Sequence, residues 1–334
     1  MNISCVANMF GIKPKTLHHW YKDDLSGYDK EIEAGRWGEK KILEVDEETG
    51  EVLKEIPVPI AKPENFGSHM TIDEKQIGKT MYTIMTNANT GKIALLAQTM
   101  KPQYLKQAVE KYLPESTSVV RSTSCDMSPS YKKFCKELFP NTALVIDKFH
   151  VIKHAMDALQ QVRKELKTEC LNHDKTLGHQ SGPTSTEQER PWTEIELLER
   201  SRYTLYKMEG DWEETEKETM AHLFSNYPQL KKAYGLTQQL RLWYNGTNVG
   251  KHFVVLEKEL YNWYDAVDHA MIPAFKGVRK MIEKHQDDIM NYFKEGQTNA
   301  KAENMNGRIQ RFFANNFGIK DRDFFLYRLA GYFS

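Results

Sequence analysis

The sequence predicts a mixed α/β domain, interrupted by a long all-helical stretch and preceded by a small helical hairpin. Three observations predict it. Three strand-like runs follow one another closely between Met70 and Gln98, two helix-then-strand alternations continue to Asp147, and from Val151 to about Phe293 the apolar residues recur at helical spacing. The chain has 334 residues, 40% hydrophobic and 28% charged, which is too apolar for disorder and long enough for two or three packed units.

Ser4 to Tyr21 reads as two short helices. Val6, Ala7 and Phe10 mark the apolar face of the first, Gly11 makes the turn, and Pro14 suits the first turn of the second, whose Leu17 and Trp20 are expected to face back. This is helix-turn-helix spacing, and it leaves Lys13, Lys15, Thr16, His18 and His19 as candidates for DNA phosphates and base edges. A plain helical hairpin carrying a few lysines fits the pattern equally well. Residues 1–22 are assigned to this segment and 23–67 to a linker, with a hairpin over Ile42–Ile56 turning at Thr49-Gly50 and a stiff connection at Pro57, Pro59 and Pro63.

The first part of the α/β domain, 68–152, has strands at Met70–Asp73, Met81–Thr86 and Ile93–Gln98, with Asn89-Thr90-Gly91 in one of the turns. A helix over Pro102–Leu113, a strand over Ser118–Ser124, a helix over Ser130–Phe139 and a strand over Ala143–Asp147 complete it. A meander followed by two crossovers is the order of a ribonuclease-H-like mixed sheet flanked by helices. The helical stretch, 153–297, holds one polar loop, Lys175–Pro191, and aromatic residues such as Trp243, Tyr244, Trp263 and Tyr264 read there as helix packing. Residues 298–334 supply helices over Thr298–Phe313 and Asp323–Tyr332 that complete the α/β domain.

Several function classes drop out. No apolar run approaches the roughly 18 residues needed to cross a bilayer, and Met1–Cys5 lacks a basic, then apolar, export signal, so a cytoplasmic protein with no membrane partner is expected. Cys5, Cys125, Cys135 and Cys170 form no C-x-x-C pair, and Cys170 with His173 has no further ligands nearby, which speaks against disulfide frameworks and zinc ribbons. Lys+Arg and Asp+Glu are equal at 46 each, so affinity for nucleic acid must come from local patches rather than a general basic excess.

Three acids are candidates for metal chemistry. Asp73 and Asp126 both end predicted strands, where side chains reach the mouth of the sheet. A lone Asp at a strand end is ordinarily a turn former; two in this order point further. In the helix from Thr298, the residues Asn299, Glu303, Asn306 and Gln310 share a narrow stripe beside an apolar face of Ala302, Met305, Ile309, Phe312 and Phe313. Three carboxylates suit two hard divalent cations about 3.5 to 4 Å apart, which clamp the attacking and leaving oxygens of a phosphodiester. Asp147 and His150 close the last strand, where they either orient a reacting group or merely cap the strand.

These residues resemble the ISL-three group of bacterial insertion-sequence transposases, closest to its ISAon-one-like branch. The likeness lies in Ser68-His-Met-Thr-Ile-Asp-Glu, Asp126-Met-Ser-Pro-Ser-Tyr, Phe139-Pro-Asn, Ile146-Asp-Lys-Phe-His-Val-Ile-Lys, Ser201-Arg-Tyr-Thr-Leu-Tyr-Lys, Thr298-Asn-Ala-Lys-Ala-Glu and Phe324-Phe-Leu-Tyr-Arg-Leu. The resemblance implies that Asp73, Asp126 and Glu303 are an Asp-Asp-Glu triad and metal ligands, with Asp147, His150 and Asn299 accessory. It implies two Mg2+ or Mn2+ ions per site, binding of terminal inverted repeats by a homo-oligomer, end cleavage, and joining of the 3′-hydroxyl to target DNA. Many members carry a cysteine-rich zinc segment near the start; no such spacing occurs here, so end recognition falls to Ser4–Tyr21 and the helical stretch. Two other readings share these residues: a non-catalytic DNA-binding remnant, and a nuclease of the same fold that only hydrolyses.

Overall fold

The computed structural model describes residues 3–333 other than 39, 47, 78, 115, 177–191, 296–299 and 316–320. The chain forms two compact units, residues 1–147 with 297–334, and residues 148–296.

The first unit begins with α1 (Ile3–Met9), α2 (Pro14–Trp20) and α3 (Tyr28–Glu33). Gly11 takes a left-handed φ of 64° between α1 and α2, a conformation open to glycine without strain. The strands are β1 (Lys41–Val45), β2 (Val52–Pro57), β3 (Ile60–Ala61), β4 (His69–Ile77), β5 (Thr80–Asn87), β6 (Ile93–Ala97), β7 (Ser122–Cys125) and β8 (Ala143–Ile146). Between β6 and β8 lie α4 (Pro102–Tyr112) and α5 (Pro129–Leu138), each opened by a proline that needs no intrahelical N–H partner.

β1 and β2 form a separate hairpin, whose Asp46 carboxylate accepts from the N–H groups of Glu48 and Thr49. The main sheet has the order β3-β6-β5-β4-β7-β8, with β4, β5 and β6 antiparallel and β4, β7 and β8 parallel. The turn from β5 to β6 carries Gly91 at φ 75° and is clamped by Asn87 Oδ1, which accepts from Asn89 and Thr90 N–H. This is the mixed sheet the sequence predicts.

Two details differ. The strand expected from Ser118 is a short 3-10 turn over Ser116–Val119 followed by β7, which needs only enough residues to pair with β4 at His69–Thr71. The proline-rich connection also contains β3, an edge strand against β6 beside Pro57 and Pro59, where prolines cost no ladder bonds.

Each face of the sheet has its own core. Met70, Ile72, Met85, Leu95 and Cys125 pack with α4 and α5. On the other face Ile77, Tyr82, Ile84 and Leu96 pack with the C-terminal helices that follow the second unit. That unit is all-helical: α6 (Lys148–Thr176), α7 (Glu194–Thr204), α8 (Glu214–Asn226), α9 (Pro228–Trp243), α10 (Phe253–Ala270), α11 (Pro273–Lys284) and α12 (Gln286–Glu295). Trp243 and Trp263 are buried with their indole N–H groups donating to Leu256 and Leu236 carbonyls, so these aromatics are packing residues. The polar loop expected to follow Lys175 lies almost wholly outside the described residues.

The first unit closes with α13 (Ala300–Asn315) and α14 (Arg322–Phe333). Ile309, Phe325, Leu326 and Leu329 lay these helices on the sheet face that carries Ile84. Among the described residues no helix is long and apolar enough to cross a membrane.

Candidate active site

The parallel ladder places the acids. β4 and β7 pair through Thr71 and Ser124; two positions further along each chain stand Asp73 and Asp126. β7 and β8 pair through Ser124 and Val145, and two positions on from these stand Asp126 and Asp147. The Asp147 N–H donates to the Cys125 carbonyl, which holds β8 level with β7 up to that point. By register, the three aspartates therefore stand at matching positions at the C-terminal end of the parallel strands, where neighbouring strands lie about 4.8 Å apart.

Alternation sets the face. Asp73 is directly paired with Ile84, whose side chain belongs to the layer under α13 and α14, so Asp73 shares that face. Asp73 does not end its strand as the sequence reading expects: β4 runs four residues further, to Ile77, because β5 continues to pair with it after β7 has stopped. Asp126 does follow its strand directly, and its Oδ1 accepts from the Ser128 N–H at 2.8 Å, bending the chain into α5. Asp73 Oδ1 accepts from the Glu74 N–H at 2.8 Å, and its Oδ2 stands 3.3 Å from the Lys75 ammonium.

Glu303 lies on α13, in the helix whose Ile309 is buried against the Asp73 face; the Glu303 side chain and all of Asn299 lie outside the described residues. Asp147 is half-buried directly before α6, and His150 falls in the first turn of that helix rather than at a strand end. Among the described residues no three His, Cys, Asp or Glu side chains gather closely enough to hold a metal ion. Two carboxylates at matching register, Asp73 on β4 and Asp126 directly after β7, are nevertheless donors of the kind that suits a hard divalent cation.

The N-terminal candidates divide. Lys13 and Lys15 are exposed, Thr16 is half-exposed, and the largely exposed His19 stands 3.7 Å from Asp23. His18 instead sets its ring edge-on to Phe324 of α14 at 6.0 Å, so part of its surface is committed to packing. Phe10 and Trp20 are 73% and 49% exposed, against the expectation that they join the two helices. Helices of seven residues have too little face for a core of their own, and the segment docks elsewhere. Tyr21 and Tyr28 pack on Phe324, while Lys22 pairs with Asp321 at 2.6 Å.

The Cys170 thiol contacts the Tyr227 hydroxyl at 3.1 Å, and all four cysteines are free. The sequence reading misses Lys75, although its place two residues after Asp73 puts it on the same face of a strand.

A meander joined to two parallel crossovers, with helices on both faces, defines a ribonuclease-H-like domain. The chain belongs to the ISL3-group DDE transposase family, described simply as transposase, whose model matches residues 70–329, more than half of the chain. The match takes in Asp73, Asp126, Asp147 and Glu303, and also the whole helical unit. No curated protein matches this chain.

Proposed function

We propose that this transposase binds the terminal inverted repeats of its element, hydrolyses the phosphodiesters at their ends, and joins the freed 3′-hydroxyl to target DNA. The observation that supports this most is the matching register of Asp73 on β4 and Asp126 directly after β7, with Asp73 on the face crossed by the helix that carries Glu303. In this reading the three are the catalytic and metal-binding acids, and Mg2+ or Mn2+, two ions per site, is the cofactor. Bound there, the ions polarise the scissile phosphodiester and offset the charge that develops on it.

The protein's own part is to hold these carboxylates still. Asp73 and Asp126 are each pinned by a backbone N–H on one oxygen, and the second oxygen of Asp73 faces the Lys75 ammonium. Glu303 completes the set from α13, on a separate segment of the chain. Asp147, level with Asp126, orients its neighbour, while His150 and Asn299 are accessory groups for placing the scissile phosphate or moving a proton.

End recognition is assigned to the N-terminal helices, with Lys13, Lys15, Thr16 and His19 toward DNA and His18 contributing at its edge. The protein works in the cytoplasm, on double-stranded DNA, as a homo-oligomer assembled on the two ends.

The test is cleavage of a duplex that carries the element's terminal repeat, in Mg2+ or Mn2+, with EDTA and Asp126→Ala as controls. Nicking at the repeat boundary that requires metal and is lost in the variant supports the reading. Substantial cleavage by Asp126→Ala overturns the acid assignment. Specific repeat binding by wild type, with no cleavage under any metal, favours a DNA-binding remnant.

A further inference from the structure

We infer that Lys75 is a resident cation of the acidic site, which holds Asp73 while no divalent ion is bound and must move aside when one binds. The inference rests on the metal-binding reading of Asp73 and Asp126 given above.

The Lys75 ammonium lies 3.3 Å from Asp73 Oδ2, and its side chain is only 18% exposed. The other oxygen, Oδ1, accepts from the Glu74 N–H, so the ammonium sits against the carboxylate that an ion would use. Lys75 follows Asp73 by two residues along β4, so both side chains lie on the face that packs beneath α13 and α14.

The neighbouring cation has a different task. The strand partner of Lys75 is Tyr82, whose hydroxyl takes a hydrogen bond from Arg322 at the start of α14, and Arg322 also donates to Gln98 Oε1 at 2.6 Å. Arg322 is thus tied to the sheet, while the Lys75 ammonium is tied to a proposed ligand of the reaction.

An ammonium and a divalent ion at close range on one carboxylate repel each other, so binding of the ion disfavours the ammonium there. In the proposal, an ion that binds Asp73 drives the ammonium away on its four-carbon stem. A phosphate of bound DNA beside the ion is the anion that would receive it. Lys75 is then a positioning residue with two opposed effects: it weakens ion binding in the free protein and contributes to the DNA-bound state.

The experiment titrates Mn2+ into the full chain, followed by calorimetry or by the spin resonance of free Mn2+. It compares wild type, Lys75→Gln, Lys75→Arg and Asp126→Asn. Removing the competing charge should tighten Mn2+ binding by Lys75→Gln about tenfold, as expected for one unit charge at contact distance in a partly hydrated site. Lys75→Arg, which keeps the charge, should stay within about threefold of wild type. At saturating Mn2+, Lys75→Gln should cleave more slowly than wild type. A merely structural lysine would lose affinity and cleavage together.

Mn2+ affinity of Lys75→Gln equal to or weaker than wild type overturns the inference. Should that variant fail to fold, the wild-type protein decides, through the Lys75 ε-methylene resonance assigned by comparison with Lys75→Arg. A shift on Mg2+ addition supports displacement, and a static signal while other residues of β4 shift overturns it. If wild type and Asp126→Asn bind Mn2+ equally well, the metal-binding reading itself fails, independently of Lys75.

Discussion

The Tyr131 hydroxyl donates to Glu74 Oε1 at 2.9 Å, and Glu74 is the next residue after Asp73 on β4. Tyr131 belongs to α5, the helix into which Asp126 leads, so one hydrogen bond joins the strand bearing the first acid to the helix that follows the second. The same hydroxyl meets Thr83 Oγ1 at 3.1 Å, and Thr83 in turn donates to the Thr99 carbonyl at 2.6 Å. Tyr131 is 1% exposed, and this burial pushes its hydroxyl far above the ordinary tyrosine range, keeping it a neutral donor.

Tyr131→Phe keeps the ring and removes this donor. With the Glu74 carboxylate left short of a partner, the variant should lose about 1 to 3 kcal/mol of stability. Urea unfolding measures it, and an unchanged midpoint would show that the link does not hold these two elements together.

Glu303 and Asp147 separate by degree. As a member of the proposed acidic set, Glu303 changed to Gln should reduce cleavage to background. As a residue level with Asp126 that orients its neighbours, Asp147 changed to Asn should cost about 10- to 100-fold. Single-turnover cleavage at saturating Mn2+ gives both numbers. A reversed order would make Asp147 the third ligand.

The Lys22–Asp321 pair joins the N-terminal segment to the start of α14, and it sets a pH window. Burial pushes the Asp321 carboxyl up, but the Lys22 ammonium and the Phe324 N–H outweigh it and hold the carboxyl below its ordinary 3.8. The hydrogen bond to Asp321 holds Lys22 above its ordinary 10.5. The carboxylate's contribution is complete above its unfolded pKa and fades as pH falls through the lowered folded value. The ammonium's contribution is complete below its unfolded pKa and fades as pH rises through the raised one. Asp321→Asn keeps an acceptor for the Phe324 N–H and removes the charge. It should be less stable at pH 7 by about 1 kcal/mol, since solvent screens the partly exposed pair. Denaturant titrations should show the difference closing below about pH 3 and above about pH 11.

Lys15 and His18 should part company. Lys15→Ala removes one exposed cation and should lower the salt dependence of repeat binding by about one unit in log–log slope, with thermal stability unchanged. His18→Ala removes an edge-on contact with Phe324 and should lower the melting temperature, with a smaller change in the salt slope than Lys15→Ala. Equal effects of both variants on the salt slope would place His18 on DNA.

Much of this molecule is legible along the chain because its signals are local. The turn at Gly91, the prolines opening α4 and α5, and the alternation of strand and helix from β4 to β8 depend on residues only a few positions apart, and the mixed sheet follows from their order. Asp126 is legible for the same reason, as an acid directly after a short strand.

Long-range pairing decided the rest. Whether Asp73 ends its strand depends on how far β5 continues to pair beyond β7, and no residue near Asp73 records that. Phe10 and Trp20 look like core by their spacing, yet the N-terminal helices are too short to bury them and dock through Tyr21, Tyr28 and Lys22 onto a helix about 300 residues away. The sequence by itself determined which elements form and which acids are candidates, since propensity, turn chemistry and alternation act over a few residues. Only the tertiary structure decided that Asp73, Asp126 and Asp147 stand level and that Lys75 lies against Asp73, because register across a sheet is set by the combined packing of all its strands.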